Sequence, residues 1–358
     1  MSDSNAILET LGPARRFADP EAPLDARLMA ARGALPLPPH LIASVLFALS
    51  FDPETEVKER ALASLEQLPE RVVGPTLSAA VHPALLSWLA RRVSGDAASA
   101  EKLALNPATP DETICELAAL PFGRVIDIIA NNQTRLLRCS GILDALGSNP
   151  LTSAATIDRI LEFLGLRKDA AEEEPPPESV DAPVEAADAE TLAAAALDDP
   201  SGLPPELLEE GADGAEPSEE RSKTLFALLQ DMKVVDKIKL ARFGNGEARG
   251  LLVRDRNRIV STAVVRSPKI KENEVISIAK SRNVADEVLR MLSNMRAWTA
   301  NYAVQYALTC NPKTPLPSAI KFLNYLTDRD LRTIMRSREV PGPISTQARR
   351  ILMRKGKV

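Results

Sequence analysis

Residues Leu308 to Leu326 read LTCNPKTPLPSAIKFLNYL, and this segment contains a pronounced helix break. Pro312 and Pro315 stand three residues apart at its centre, between two apolar runs. A residue that precedes proline is kept out of the helical region, and asparagine tolerates the left-handed backbone that often ends a helix. Asn311-Pro312 therefore predicts the end of one helix, and the residues after Thr314 predict the start of the next.

The same break occurs at four places in the chain, which are Asn106-Pro107, Asn149-Pro150, Ser267-Pro268 and Asn311-Pro312. Counted from the residue before proline, the eighth and eleventh positions are apolar in every copy: Ile114 and Leu117, Ile157 and Ile160, Val275 and Ile278, Ala319 and Phe322. Side chains three positions apart lie on one face of a helix. Each break is therefore expected to precede an amphipathic helix.

A further short helix is predicted after each of three breaks, because segments with apolar residues three or four apart follow at residues 122–132, 284–294 and 327–338. The spacing is 43 residues from Asn106 to Asn149 and 44 from Ser267 to Asn311. HEAT and armadillo repeats span about 40 to 47 residues. The sequence therefore predicts repeats of three short helices.

The start of the helix after Asn106 carries capping signals in Thr109-Pro110-Asp111-Glu112. Threonine before proline is typical of an N-cap followed by the first helical position. The glutamate stands where a capping box needs an acidic side chain. We therefore predict Thr109 as the N-cap of this helix.

A family resemblance supports the repeat interpretation. Residues 52–65, DPETEVKERALASL, resemble the second helix of a HEAT repeat, with an acidic turn before a Val-Lys pair and then alanine and leucine. The part from about Lys233 to Leu352, which contains AWTANYAVQYALTCNPKTP, resembles uncharacterised bacterial helical-repeat proteins of the HEAT-like kind. This resemblance implies an all-α fold of α-solenoid repeats. HEAT-like families serve as scaffolds and adaptors, so it also implies binding to partner proteins.

Charge is divided unevenly along the chain. The net charge of −5 is the sum of −4 over residues 1–168, −18 over residues 169–220 and +17 over residues 221–358. The middle segment has eight prolines and no aromatic or basic residue, so it cannot bury enough apolar surface to offset the entropy of ordering. We predict an N-terminal helical-repeat domain at 1–168, a disordered acidic linker at 169–220 and a basic C-terminal helical-repeat domain at 221–358.

Two weakly apolar islands interrupt the predicted linker, TLAAAAL from Thr191 and LPPELL from Leu203. Each is compatible with a transient helix or with a docking peptide. The sequence favours the transient helix without a partner, because both islands are short and lie in an acidic surrounding.

No pattern for catalysis, cofactor binding or metal binding emerges. GNGEARG at 244–250 lacks phosphate-loop spacing and a Walker lysine, and it indicates a helix C-cap with a tight turn. Ser277 and Lys280 match SxxK without the companion motifs, and they indicate a polar strip on a helix. His40 and His82 are the only histidines. We therefore expect no enzyme activity, no cofactor and no metal.

The cysteines, the N-terminus and the apolar runs indicate the cellular compartment of the protein. Cys115, Cys139 and Cys310 form no CxxC pair and predict reduced thiols on apolar helix faces. The N-terminus lacks the basic and apolar regions of a signal peptide. The longest apolar run, residues 41–51, is shorter than the roughly 20 residues that a membrane span needs. These features predict a cytoplasmic protein.

The basic charge of residues 221–358 is the strongest functional signal. Equivalent positions of stacked repeats form rows, so recurring basic residues predict a stripe suited to nucleic acid, an anionic membrane surface or an acidic protein. A solvated surface without a ligand is an equal alternative. The candidate polyanion-binding residues are Lys269, Lys271, Lys280, Arg282, Arg296, Arg329, Arg332, Arg336 and Arg338. Trp298 and Tyr302 nearby are interpreted as a packed seam in preference to a base-stacking surface.

Three functions follow in order of preference. The first is a non-enzymatic interaction scaffold or adaptor that binds partner proteins on solenoid surfaces. The second is nucleic-acid or other polyanion binding by the basic domain, inhibited by the acidic linker as a tethered competitor. The third, an enzyme such as a helical-repeat lyase or DNA glycosylase, requires a buried acidic residue or an aromatic pocket that the sequence does not indicate.

Overall fold

A computed structural model describes residues 2–166, 203–208 and 219–356, and within these ranges all regular secondary structure is helical. The predicted all-α class is therefore confirmed. The chain divides into two compact units, Met1–Arg135 and Leu136–Val358.

The first compact unit begins with a helix and a short 3₁₀ segment, and continues with helices of 8 to 12 residues. Its elements are α1 (Ser2–Thr10), η1 (Gly12–Phe17), α2 (Leu24–Ala31), α3 (Pro39–Leu49), α4 (Thr55–Glu66), α5 (Glu70–Leu77), α6 (Pro83–Val93), α7 (Ala97–Leu105), α8 (Asp111–Ala118) and α9 (Gly123–Ala130). The next helix, α10 (Gln133–Arg138), lies at the boundary.

The second compact unit has the same short-helix construction. Its elements are α11 (Ser140–Ser148), α12 (Ala154–Phe163), η2 (Pro205–Leu207), α13 (Glu219–Gln230), α14 (Val234–Phe243), α15 (Gly246–Leu252), α16 (Arg258–Val265), α17 (Glu272–Lys280), α18 (Asp286–Asn294), α19 (Arg296–Thr299), α20 (Tyr302–Cys310), α21 (Leu316–Leu323), α22 (Asp328–Arg336) and α23 (Gly342–Arg354).

All four predicted breaks separate helices. Helices α7, α11 and α20 end at the residue before the Asn of the break, and α16 ends two residues before Ser267. The predicted inward positions that follow the breaks are all buried, with the largest exposure, 7%, at Ile278. The further short helices are present as α9, α18 and α22. Local backbone preference and apolar period therefore predicted these elements correctly.

The conformation of the asparagines differs from the expected one. Asn106, Asn149 and Asn311 have φ of −76°, −78° and −81° with ψ near 120°, which is extended and not left-handed backbone. The following proline explains the difference, because it requires extended backbone at the residue before it.

The prediction of Thr109 as an N-cap is wrong. Pro110 occupies the N-cap position of α8, and Thr109 Oγ1 instead donates a hydrogen bond of 2.7 Å to the Leu103 carbonyl in the last turn of α7. Thr152 Oγ1 donates in the same way to the Leu146 carbonyl, at 2.6 Å. Carbonyls in the last turn of a helix lack intrahelical partners, so these threonines cap the helix before the break, not the one after it.

The break asparagines connect loops that are far apart in sequence. Asn106 Nδ2 donates to the carbonyls of Leu77, at 2.8 Å, and Ala79, at 2.9 Å, where α5 ends. In the second compact unit, Asn311 Nδ2 donates to the carbonyls of Ala279 and Ser281, at 2.8 and 2.9 Å, where α17 ends. Each unit thus uses the same contact between its break and a helix end about 30 residues earlier.

Replacing Asn311 by alanine is expected to lower the free energy of unfolding by roughly 2 to 4 kcal/mol, because two buried carbonyls lose their donor. The exposed Asn324 is the control, since its Nδ2 makes only a 3.4 Å bond to the Lys321 carbonyl. Asn324→Ala should change stability by less than about 0.5 kcal/mol. Chemical denaturation of both variants measures the difference, and equal stabilities would contradict the structural role of Asn311.

The second compact unit includes helices from both sides of the predicted acidic linker. Helices α11 and α12, which precede it, pack against α14 and α16, which follow it. The compact units therefore divide the chain at a different place from the predicted boundary at residue 168. Composition marked the acidic segment, but the packing partners of α11 and α12 are set by their apolar faces. Residues 169–202 and 209–218 of the predicted linker lie outside the described residues.

Three side chains carry this packing through hydrogen bonds. Asn257 Nδ2 donates to the Leu143 carbonyl of α11 at 3.2 Å. Arg258 donates to the carbonyls of the break pair Asn149-Pro150, at 3.2 and 3.3 Å. Arg266 is the third, and its guanidinium is the most buried of these donors.

Arg266 joins α16 to the end of α12. Its guanidinium, whose side chain is 0% exposed, donates to Asp158 Oδ1 at 2.5 Å and to the Leu166 carbonyl at 3.1 Å. Leu166 is the last described residue before the acidic segment. The chain therefore enters that segment from a point bonded to α16.

Candidate functional site

All nine candidate polyanion-binding residues are exposed. They occupy four different places: the loop before α17 and its N-cap (Lys269, Lys271), the end of α17 and the loop after it (Lys280, Arg282), the start of α19 (Arg296), and α22 with the residues after it (Arg329, Arg332, Arg336, Arg338). Helix α22 carries Arg329, Arg332 and Arg336 together, whereas Lys271 and Lys280 stand at opposite ends of α17 and Arg296 lies on α19.

The group on α22 forms one column. Arg329, Arg332 and Arg336 stand at i, i+3 and i+7, which places them on the same side of the helix. Leu331 and Ile334 are buried on the opposite side, in the apolar core that α22 shares with α21 and α23. We call the three exposed arginines the arginine column.

The arginines of α23 were not among the candidate residues predicted from sequence. Arg349, Arg350 and Arg354 are exposed on this helix, which packs against α22. Ile344, Ala348, Ile351 and Leu352 face the shared core. This helical apolar spacing was the signal that these basic residues belong to a packed helix.

Two other candidates take part in local contacts. Lys269 Nζ donates to the Phe243 carbonyl at 3.3 Å and lies 5.9 Å from the centre of the Phe243 ring. Arg282 donates to Glu339 at 3.0 Å, and both side chains of this pair are largely exposed. Such exposed pairs contribute little to stability, so Arg282 can still exchange its partner.

Several arginines that raise the charge of residues 221–358 are internal. Arg249 is 1% exposed, binds the Glu274 carboxylate through Nε and Nη2, and donates to the Gly244 carbonyl at 2.5 Å. Arg258 forms a two-point ion pair with Glu287. Together with Arg266, these residues use their charge in packing between helices. The net charge of +17 already includes Glu274 and Glu287, so of these three arginines only Arg266, whose partner Asp158 lies outside residues 221–358, lowers the charge that this range offers to a ligand.

Tyr302 supports the interpretation as a packed seam. Its hydroxyl accepts a hydrogen bond from the Thr327 main-chain nitrogen at 3.1 Å and contacts the Asp330 carboxylate. These residues lie at the start of α22, while Tyr302 begins α20. The ring is 40% exposed, but the polar end of the side chain is used to connect two helices.

A cavity in the first compact unit has a volume of about 660 Å³. Its apolar lining includes Ile42 and Leu46 of α3 together with Leu68 and Val72 around the start of α5. Two exposed arginines also line it, Arg32 after α2 and Arg71 in α5, and no lining residue is acidic. We call this cavity the arginine-flanked groove.

The composition of the arginine-flanked groove defines a ligand chemistry. Its volume is within the range of about 300 to 1,000 Å³ that is typical of ligand sites. An apolar side chain gains from burial against Leu46 and Val72, and a carboxylate next to it can pair with Arg32 or Arg71. The groove therefore suits a peptide that combines apolar and acidic residues.

The remaining chemical signals have structural roles or lie apart. Gly244 is the C-cap of α14 and Asn245 the N-cap of α15, as the turn interpretation of GNGEARG predicted. Ser277 and Lys280 are exposed on α17. Among the described residues, no three His, Cys, Asp or Glu side chains are grouped closely enough to hold a metal ion.

None of the three cysteines forms a disulfide, and all three are half-buried. Burial raises the pKa of the Cys310 thiol, and the hydrogen bond with Tyr306 only partly opposes this effect. The thiolate is the reactive form. A raised pKa leaves less thiolate at a given pH. At about pH 8, near the pKa of an ordinary cysteine, alkylation of Cys310 should therefore be slower in the folded protein than in the denatured chain. The rate in the folded protein should increase as pH rises.

Residue-resolved mass spectrometry after timed iodoacetamide treatment measures this difference at Cys310. The same residue in denaturant is the control, because it retains the chemistry and loses the burial. Equal rates in the two states would contradict the shielded position of Cys310.

Within the described part of the chain, no helix is both long enough and apolar enough to cross a membrane. Comparisons with protein-family models, with curated proteins and with solved structures find no match for this chain.

Proposed function

We propose that the chain is a non-enzymatic interaction scaffold of the HEAT-like or armadillo-like α-solenoid kind, and that it binds a partner protein through the arginine-flanked groove. The observation that carries this proposal is the groove itself, because it joins an apolar lining to two cations and no carboxylate. The recurring bonds of Asn106 and Asn311 support stacked repeats.

The partner chemistry follows from the charge around the groove. Residues 1–168 carry a net charge of −4, so a basic groove is a local exception in an acidic part of the chain. An acidic peptide is attracted at Arg32 and Arg71, the two exposed cations of the groove lining. Charge complementarity of this kind selects partners more than it adds affinity. The partner segment is therefore an acidic peptide with at least one large aliphatic side chain.

Charge reversal in the groove tests this function. The variant Arg32→Glu with Arg71→Glu should lose the protein partners that the wild type recovers by affinity capture from its own cells after nuclease treatment. The control is Arg60→Glu with Arg91→Glu, which makes the same change in charge at exposed positions outside the groove lining. Recovery of the same partners by the groove variant would exclude the groove as their site.

A second candidate function is polyanion binding, and the arginine column favours it. Three exposed guanidinium groups on one side of α22 offer repeated donors to phosphates. Helix α23, which packs against α22, carries three more exposed arginines, Arg349, Arg350 and Arg354. Arginine forms two-point contacts with phosphate, whereas lysine acts as a point charge. Nucleic acid is the polyanion that offers phosphates in a row.

A salt series with labelled single-stranded and duplex oligonucleotides tests the second candidate. Replacing the arginine column by glutamine should weaken binding and reduce the slope of log K against log salt by about 0.9 for each duplex phosphate that the protein no longer neutralises. The control replaces Arg254, Arg256 and Arg290, which are exposed elsewhere. Binding by neither the wild type nor the control would remove this candidate. The inhibitory role of the acidic linker concerns residues outside the described ranges and stays a prediction.

A further inference from the structure

A short part of the predicted linker is docked. Leu203 is 8% exposed and Leu207 is 0% exposed. The 3₁₀ turn Pro205–Leu207 closes through bonds of 3.0 Å from Leu207 to the Pro204 carbonyl and from Leu208 to the Pro205 carbonyl. The favoured interpretation of LPPELL as a transient helix without a partner is therefore replaced by the docking-peptide alternative.

The receptor of this segment is the loop between α14 and α15. The main-chain nitrogen of Asn245 donates to the Leu207 carbonyl at 2.9 Å, and Asn245 Nδ2 donates to the Glu206 carbonyl at 3.2 Å. Asn245 is 2% exposed, and its Oδ1 accepts from the Ala248 nitrogen at 2.8 Å as the N-cap of α15. This cap holds both donors in place for a pair of successive carbonyls.

The same mode of recognition occurs elsewhere in the chain. Asn106 and Asn311 also use Nδ2 to bind main-chain carbonyls of a distant loop. At those positions the carbonyls belong to the end of a packed helix, whereas at Asn245 they belong to the six residues 203–208. A short peptide thus occupies at Asn245 the place that a helix end takes at the other asparagines.

Burial differs among the side chains of the docked segment and distinguishes those that are enclosed from those in solvent. Leu203 and Leu207 are buried, whereas Pro205 and Glu206 between them are exposed. Recognition therefore involves two leucines four positions apart and two backbone carbonyls, and it leaves the acidic side chain in solvent.

We propose that the Asn245 loop is a peptide-binding site for turns of the type Leu-Pro-x-x-Leu, and that residues 203–208 are its resident ligand. The segment is short and held by two leucines and two hydrogen bonds from Asn245, so a free peptide of the same type competes with it. This proposal does not depend on the arginine-flanked groove.

Peptide binding to the full chain tests the proposal. The probe is a fluorescein-labelled peptide with the sequence of residues 201–210, and its anisotropy is measured with the wild type and with a Leu203→Asp, Leu207→Asp variant that vacates the site. The variant should bind the probe saturably and at least tenfold more tightly than the wild type does. A Glu206→Gln peptide should bind equally well, and a peptide carrying both Leu→Asp changes should not bind.

A second variant separates recognition from folding. Asn245→Asp keeps an N-cap oxygen for α15 but replaces the Nδ2 donor by an acceptor that repels the Glu206 carbonyl. In the wild type, the amides of Leu207 and Leu208 should exchange hydrogen slowly, and in Asn245→Asp they should exchange at least tenfold faster while helical circular dichroism is retained. Unchanged exchange in Asn245→Asp, or equal binding of the Leu→Asp probe, would overturn the proposal.

Discussion

Cleavage of the chain between residues 169 and 202 is expected to leave the two pieces bound to each other under native conditions. Helices α11 and α12 stay with the first piece, while α14 and α16, against which they pack, belong to the second. A specific protease site introduced into this segment, followed by size-exclusion chromatography, measures the outcome. Elution of two separate pieces at native salt would support the independent domains that composition predicts, and would contradict the compact unit Leu136–Val358.

The substitution Arg266→Ala tests the association of the two pieces most directly. The buried guanidinium of Arg266 pairs with Asp158 and with the Leu166 carbonyl across the cleavage site. Removing one partner of a buried ion pair costs about 3 to 5 kcal/mol. Because Asp158 is 23% exposed, we expect the lower end of that range and at least a tenfold weaker association of the cleaved pieces in Arg266→Ala. The exposed Arg254→Ala is the control and should leave association unchanged.

Adding a single methyl group at Gly147 is expected to destabilise the second compact unit strongly. A Cβ atom at Gly147 in α11 would lie 1.8 Å from Asn257 Oδ1 and 2.4 Å from Asn257 Cγ. Asn257 cannot simply withdraw, because its Oδ1 accepts from the Ile259 nitrogen at 2.9 Å as the N-cap of α16. Overpacking and loss of this cap together should cost roughly 2 to 5 kcal/mol of unfolding free energy.

Gly250→Ala is the matched control, since Gly250 also lies inside a helix but has no atom within 4 Å of an added Cβ. Alanine in a helix interior is more favourable than glycine by about 0.5 to 1 kcal/mol, so this variant should be unchanged or slightly more stable. Thermal and chemical denaturation measure the difference in stability between the two variants. A Gly147→Ala protein as stable as Gly250→Ala would show that α11 and α16 are not in close contact.

Much of the local structure was predictable from sequence. The breaks at Asn106, Asn149, Ser267 and Asn311 follow from the restriction that proline places on the residue before it, and the buried positions after them follow from the helical period. Thr109 shows the limit of such local rules. The N-cap pattern predicted that its hydroxyl would bind the following helix. In the structure the hydroxyl donates back to the Leu103 carbonyl of the preceding helix.

The candidate site was predictable only in part. Exposure of the nine basic residues and the spacing of the arginine column on α22 could be predicted from sequence, because both depend on one helix. The internal arginines could not be distinguished from surface ones in the same way. Arg258 and Arg266 contact residues about 100 positions earlier, and composition counts every arginine alike.

The helical class, the places where helices break and the apolar faces could be predicted from sequence alone, because those features depend on backbone preference and on spacing within some twenty residues. Three features became visible only in the folded chain: α11 and α12 pack against helices beyond the acidic segment, LPPELL binds at Asn245, and certain arginines are used in packing. These outcomes depend on hydrogen-bond partners and on close approaches such as Gly147 to Asn257. Such partners are distant in sequence, and no local pattern marks the two members of a pair as belonging together.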